Sequence, residues 1–332
     1  MKIPPNYAVT PEMLTLLSRI DAQRIYLLSL KLPQETTSKI QRVSLLRSSL
    51  FSARIEGNPL DLSDLASKRR EDAKREVFNI VEAVGFIDTH VRKGALKKEI
   101  LCELHAFVLK NISPDAGSFR TEMSAIFNLA GFPVYMSPPP SAISKLLNNL
   151  FTYINSEKEK FPLIAAFVSH LIFEKIHPFL DGNGRIGRLL VSTILKAKGW
   201  NFSFTVPFEE YIDTRKDAYY FHLDQGMKYT NDYLLFMLTA FATAIEEMRK
   251  QIEVELTKKE LPFIPPRQEE IYSTIKDHVV VSFDMIRRRF LRIPERTLRY
   301  DLKKLVDRGL IEKTGVTKGT YYRAKNTSRD IG

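Results

Sequence analysis

The sequence predicts an all-α fold interrupted by one small β-hairpin and followed by a separate, basic C-terminal module. Three observations carry that prediction. Apolar residues recur at helical spacing through most of the first 256 residues, and that period is lost only between Phe119 and Ser137. A charged, proline-rich stretch, Thr257 to Arg267, then divides the chain. The 332 residues suffice for two or three domains with a sizeable core. The divisions read here are a helical N-terminal region over 1–110, a central core over 111–256, a linker over 257–267 and a last domain over 268–332.

The first predicted helix, Pro11 to Leu30, opens on Thr10–Pro11, a capping side chain followed by proline at the first helical position. Ile40 to Ile55 is the second, closed by Gly57 and Pro59. Arg70 to Val91 and Gly94 to Asn111 follow. Met123 to Met136 reads as a hairpin with a glycine-containing turn, stopped by Pro138–Pro140, after which Ser141 caps a helix to Ile154. Phe161 to Lys175 is apolar on nearly every face, the pattern of a central buried helix. It enters a tight polar loop, His177 to Gly184, from which Arg185 to Lys198 leaves as another helix; Thr214 to Gln225 and Asn231 to Leu256 complete the core. Beyond the linker the order is helix (Gln268 to Asp277), helix (Ser282 to Phe290), helix (Pro294 to Arg308) and a hairpin from Ile311 to Arg323 turning at Lys318–Gly319, which describes a winged helix.

Composition narrows the function. The first ten residues lack an apolar leader and no run approaches the ~18 apolar residues of a membrane span, so a soluble, cytoplasmic protein without membrane association is expected. A single cysteine, Cys102, excludes an intrachain disulfide and a cysteine metal cluster, and no Cys/His array suits zinc. From Pro262 onward stand 16 Lys and Arg against 9 Asp and Glu, so this last fifth carries +7 of the net +11. Arg287, Arg288, Arg289, Arg296 and Arg299 could face DNA phosphates, or the same basic surface could recognise a protein.

The most informative segment is the loop from His177 to Arg188, His-Pro-Phe-Leu-Asp-Gly-Asn-Gly-Arg-Ile-Gly-Arg. Glycines at 182, 184 and 187 let backbone approach a ligand closely where a helix begins, so unpaired N–H groups and the helix dipole form an anion site. Arg185 and Arg188 add fixed positive charge, Asp181 is a carboxylate suited to Mg²⁺ beside a polyphosphate, and His177 moves a proton near neutral pH. Together these features point to nucleotide chemistry.

The segment resembles the signature of the Fic family, H-x-F-x-(D/E)-G-N-G-R-x-x-R, at every specified position. The likeness covers about Leu45 to Glu247 and includes Glu76 to Ala83 and Gly117 to Arg120. It implies a Fic-type helical core with a small β-hairpin flap, and a protein adenylyltransferase using ATP and Mg²⁺. In that reading His177 deprotonates a Ser, Thr or Tyr hydroxyl of a protein substrate and Asp181 holds the metal. Asn183 and the backbone from Gly182 through Gly184, Ile186 and Gly187 form an anion hole, while Arg185 and Arg188 bind the β- and γ-phosphates. Pro133, Val134, Tyr135 and Met136 correspond to the flap that clamps the target by strand pairing. Tyr219 and Tyr220 resemble an adenine-pocket pair, and homodimerisation is a family-level expectation.

Upstream, Ser52-Ala-Arg-Ile-Glu56-Gly57 resembles the family's inhibitory pattern, (S/T)-x-x-x-E-(G/N). The resemblance implies that Glu56, steadied by Ser52, pairs with Arg188 and restrains the enzyme, and that the same glutamate supports removal of AMP. Two other readings stay open at this stage. One is a nucleotide-sensing winged-helix regulator; the other is a Fic enzyme that moves phosphate, UMP or phosphocholine.

Overall fold

Fourteen consecutive residues, Leu163 to Ile176, are buried, and a helix without a polar face can only lie at the centre of its domain. The computed structural model describes residues 1–66, 70–127, 133–257, 264–278, 280–315 and 320–325, and the chain divides into two compact units, Met1–Glu255 and Leu256–Gly332.

In the first unit the order is α1 (Pro11–Ser29), α2 (Gln34–Ile55), α3 (Glu71–His90), α4 (Ile100–Val108), β1 (Ala125–Phe127), β2 (Pro133–Met136), α5 (Pro140–Ile154), α6 (Pro162–Ile176), α7 (Asn183–Ala197), α8 (Glu209–Asp213), α9 (Lys216–Gln225) and α10 (Thr230–Thr257), which runs to the boundary. The fold is the all-α type predicted, with β1 and β2 as its one small hairpin. Helix α6 packs most extensively on α7, and α5 also packs on it, while α2, α3 and α4 all reach α7. Ser44, Ser48, Ser49, Ser52 and Ala53 are buried on α2, so small side chains let that helix approach its neighbours closely. The predicted Thr10 cap is present, its Oγ1 accepting from Met13 N–H at 3.3 Å.

Four elements differ from the sequence pattern. Helix α2 begins at Gln34, ahead of the predicted Ile40, with Pro33 at its N-cap. The predicted helix from Gly94 begins only at Ile100, because Gly94 N–H bonds Ala197 O and Asn155 binds both backbone groups of Leu96. Ser141 does not cap α5; Pro140 occupies its first turn and no side-chain cap bond forms. The predicted Thr214 helix is α9, which begins at Lys216 because Arg215 leaves the helical region at φ −137°, and the short α8 before it was not predicted.

The second unit comprises α11 (Pro266–Asp277), β3 (Val281–Ser282), α12 (Phe283–Arg289), α13 (Glu295–Asp307), β4 (Ile311–Thr314) and β5 (Tyr321–Ala324), with the antiparallel order β3-β5-β4. Its own core holds Ile271, Ile286, Leu298, Leu302 and Tyr322. Asp301, wholly buried, accepts from Arg267 and Gln268. The sequence pattern missed β3, which is two residues long and whose Ser282 also caps α12. The turn expected at Lys318–Gly319 lies outside the described residues. Among the described residues no helix is long and apolar enough to cross a membrane.

The central position of α6 gives a stability expectation. Phe167 is fully buried against Phe208 and Phe241. Phe167→Ala should lower the unfolding free energy of the first unit by ~3–5 kcal/mol, the usual cost of a large-to-small core change, read from the shift of its chemical denaturation midpoint.

Candidate active site

The His177–Gly182 loop is bounded by two left-handed residues. His177 ends α6 at φ 49° with its N–H on Phe173 O, and Gly182 precedes α7 at φ 80°. Asn183 closes the loop from within: its Oδ1 accepts from Phe179 N–H at 3.0 Å and its Nδ2 donates to Phe179 O at 2.9 Å. Both polar atoms of that buried side chain are therefore engaged by protein, and it shapes the loop instead of facing a ligand. The anion site is also narrower than the sequence pattern implied. Gly182 N–H is held by Asp181 Oδ1 at 2.6 Å, and Ile186 N–H by Gly182 O at 3.0 Å. The first-turn N–H groups of Asn183, Gly184 and Arg185 lack intrahelical acceptors, which is where a phosphate would meet the positive end of α7.

Gly184 and Gly187 make room for protein carboxyls. A Cβ at Gly184 would stand 2.2 Å from Glu56 Oε1, and one at Gly187 would stand 2.1 Å from Glu174 Oε1. Neither position admits a larger residue while those glutamates stay in place.

His177 is partly buried, and burial lowers its pKa, so the imidazole is neutral at neutral pH. Its Nδ1 faces Glu174 O at 3.3 Å, and a carbonyl only accepts, which assigns the proton to Nδ1 and leaves Nε2 as the basic nitrogen. Arg120, 3% exposed, holds this neighbourhood together: it donates to His177 O (2.8 Å), Glu122 O (2.7 Å) and Pro138 O (2.6 Å). One guanidinium thus joins the loop to both ends of the hairpin.

The hairpin pairs Ala125 with Met136 and Ile126 with Tyr135. Tyr135 donates to Lys175 O at 3.1 Å, and the Lys175 ammonium lies 4.3 Å from its ring centroid, so β2 is moored two residues before His177. Among the described residues β2 has β1 as its single strand neighbour, and Met136 is exposed. For Pro133 and Val134 only the strand backbone is described. The turn joining the two strands lies outside the described residues.

Asp181 is largely exposed, with its carboxylate 3.0 Å from Arg185 Nη2. Its backbone carbonyl meets His105, a residue that the sequence pattern did not assign to the site. Arg188 is 1% exposed; its Nε donates to Ser52 Oγ (3.0 Å) and its Nη2 to Ser52 O (2.7 Å) and Glu56 Oε1 (2.9 Å). Among the described residues its Nη1 has no hydrogen-bond partner, nor does Glu174 Oε1, which His170 Nε2 approaches to 3.8 Å. Burial pushes the Glu174 carboxyl up to about 8, with Glu56 adding to the rise.

The tyrosines occupy unlike places. Tyr219 is 1% exposed and belongs to a buried chain of hydrogen bonds in which its hydroxyl contacts His170 Nε2 (3.1 Å), His170 Nδ1 contacts Tyr233 Oη (2.7 Å), and Tyr233 donates to Phe167 O (3.1 Å). Tyr233 must accept from Nδ1–H, so Tyr219 donates to Nε2 and has no hydroxyl proton left for a ligand. Tyr220 is partly exposed and donates to Ile55 O at 3.2 Å. Tyr219 is a core residue and Tyr220 abuts the end of α2, with their ring centroids 5.4 Å apart. A cavity of about 600 Å³ between α2, α8 and α10 is lined by none of the sequence-assigned site residues, whereas another of about 450 Å³ borders Glu56.

Residues 95–195, which include the entire loop, match the model of the Fic/DOC family. That region is similar to Fic domains. The chain is 29% identical over 198 residues to a protein adenylyltransferase Fic of Aedes aegypti, and 26% identical over 197 residues to one of Drosophila willistoni, covering 55% of this chain in each case. The chain spans only 38% of the length of these relatives. A Fic family protein from Desulfovibrio desulfuricans shares the fold along 98% of this chain and 99% of its own, at TM-score 0.76 and 23% identity. Fic-1 of C. elegans aligns over 73% of each chain at TM-score 0.60 and 19% identity.

Two outcomes follow from the geometry. Arg120→Lys should lower turnover while sparing nucleotide affinity, since a single ammonium nitrogen cannot span the positions that three guanidinium nitrogens reach; comparison of kcat with the Kd for nucleotide checks it. Glu174 keeps a proton in the folded state that the unfolded chain releases between about pH 4.5 and 8, so its burial costs stability as pH rises through that window. Glu174→Gln should gain melting temperature relative to wild type across the same window, and little below it.

Proposed function

We propose that the chain transfers AMP from ATP to a hydroxyl side chain of a protein, and that Glu56 restrains it. The observation that carries this reading is a neutral imidazole with Nε2 available, set beside an open helix N-terminus that is flanked by two arginines. The target oxygen attacks the α-phosphorus as its proton passes to His177 Nε2. The bond from that phosphorus to the bridging oxygen of the β-phosphate breaks, and pyrophosphate leaves with the electron pair. N–H groups of Asn183, Gly184 and Arg185 stabilise the charge that develops, and Arg185 and Arg188 receive the outer phosphates. The relatives named protein adenylyltransferase support this direction.

The donor set fits Mg²⁺ only together with a nucleotide. Asp181 offers one accessible carboxylate, and among the described residues no group of three His, Cys, Asp or Glu side chains could hold a metal unaided. Asp181 would hold the ion, which supplies charge neutralisation across the phosphates. Arg185 must then exchange the Asp181 carboxylate for phosphate. The flap reading rests on the unpaired edge of β2, to which an extended target segment would add as a strand.

The Glu56–Arg188 pair supports restraint, because Arg188 cannot give Nη2 to Glu56 and to a γ-phosphate at once. The same carboxylate, close to Gly184, suits activation of water for removal of AMP. In the second unit the helix-strand-helix-helix-hairpin order supports a winged-helix module. Glu295 engages Arg287 and Arg299, whereas Arg288, Arg289 and Arg296 have no ion pair among the described residues, so a nucleic-acid role would fall on those three.

The test is transfer of label from ATP carrying it at the α-phosphate to protein. Glu56→Gly should raise incorporation roughly ten- to a hundredfold, the equivalent of the ~1.5–3 kcal/mol of a charged hydrogen bond. Adding His177→Ala should remove about a hundredfold or more, and chelation of Mg²⁺ should abolish the signal. Label at the γ-phosphate should not transfer; if it does, the reaction is phosphoryl transfer and the proposal falls.

A further inference from the structure

His105 lies on α4, more than seventy positions before the loop, yet it touches the loop at its most consequential peptide. The ring is 1% exposed and stacks on Phe179 at 3.8 Å between centroids with the planes 5° apart. Its Nδ1 accepts from Gly117 N–H at 2.8 Å. A backbone N–H only donates, so the ring proton is on Nε2, which donates to Asp181 O at 3.0 Å. Rotation of the ring by half a turn would break both bonds at once.

The peptide unit between Asp181 and Gly182 is thereby gripped at both ends. Its carbonyl is held by His105, and its N–H by the Asp181 carboxylate at 2.6 Å. The following residue is a glycine at φ 80°, so nothing in the side chain of residue 182 resists a flip of this peptide plane. A flip would strip the N–H from the Asp181 carboxylate. The loop's internal brace, Asn183, fixes Phe179 and leaves the 181–182 peptide to an outside group.

We propose that His105 is a positioning residue that locks the Asp181–Gly182 peptide and so aims the Asp181 carboxylate at a metal-bound nucleotide. The inference rests on the reading of Asp181 as the carboxylate that holds the cation. Partners that orient a metal-holding group commonly contribute about ten- to a hundredfold in metal affinity, and His105 acts on Asp181 in that way through the backbone.

The ring's two bonds are separable by substitution. In the full chain carrying Glu56→Gly, His105→Gln can place an amide N–H near the Nε2 position and retain the bond to Asp181 O. His105→Asn places its amide near Nδ1, keeping contact with Gly117 and losing Asp181. The measurement is binding of ADP with and without Mn²⁺, by calorimetry and by the Mn²⁺ electron paramagnetic resonance signal, with melting temperatures of each variant. His105→Asn should weaken Mn²⁺-dependent ADP binding by roughly tenfold and leave metal-free ADP binding unchanged; His105→Gln should stay within about threefold of the parent. The KM for MgATP should rise in His105→Asn with a smaller change in kcat. Equal behaviour of the Gln and Asn variants, or equal loss with and without Mn²⁺, would overturn the proposal. An Asp181→Asn control that leaves the Mn²⁺ dependence intact would instead remove the metal reading of Asp181, and the inference with it. Turnover by the parent that fails while its Mn²⁺-dependent binding persists would count against AMP transfer alone.

Discussion

A guanidinium taken out of water needs a counter-charge, and Arg188 is almost completely buried. Much of the site is organised around that requirement. Arg188 draws Ser52 and Glu56 of α2 onto α7, although they are more than 130 positions away in sequence, so the N-terminal helices and the Fic-like region share one core. Gly184 exists as glycine against the carboxyl that answers Arg188, and Gly187 against the carboxyl of Glu174. Glu174 itself lies in the field of the same cation, which lowers its pKa, but burial and the nearby Glu56 outweigh that pull. One buried charge therefore accounts for an ion pair and for the glycine at 184, while the raised pKa of Glu174 comes from burial.

The reactive side of the loop follows from a second constraint, the end of α6. A helix buried on every face cannot fray into water, so it must stop abruptly. It does so at a non-glycine residue in the left-handed region, His177, whose carbonyl is then claimed by Arg120 and whose Nδ1 is turned toward Glu174 O. The conformation is unfavourable for such a residue, and the surrounding bonds over-determine it. What emerges is an imidazole with one nitrogen committed to the fold and the other available.

The legibility of this site in the sequence was uneven, for reasons specific to each residue. Local periodicity and turn chemistry were sufficient for the helices, the hairpin and the position of the loop, because those features depend on residues close together in the chain. The proximity of Glu56 to Arg188 came from a family pattern, not from spacing, and the two side chains do stand 2.9 Å apart. Asn183 looked like a ligand-facing amide because its bonds to Phe179 depend on a fold-back that spacing does not reveal. Tyr219 and Tyr220 looked like a pair because they are adjacent, yet adjacent helical residues point about 100° apart, one into the core and one outward. His105 and Arg120 were missed as site residues since each works through backbone carbonyls, which leave no trace in side-chain chemistry.

Glu56 is the residue that closes α2, and Gly57 follows it at φ 99°. The preceding turns of α2 are buried through Ser48, Ser49, Ser52 and Ala53, so lifting the whole helix would dismantle the core. The carboxylate, by contrast, hangs from the last turn, where helices fray and where a glycine lets the backbone swivel. Exchange of this anion for another at Arg188 is thus an unpeeling at a tip and not a rigid-body departure. Its threshold is set by the anchor just beyond, where Asn58 grips Ala73 O and Glu76 of α3. That anchor ties the tip of α2 to a helix whose Val77 and Ile80 are themselves in the core.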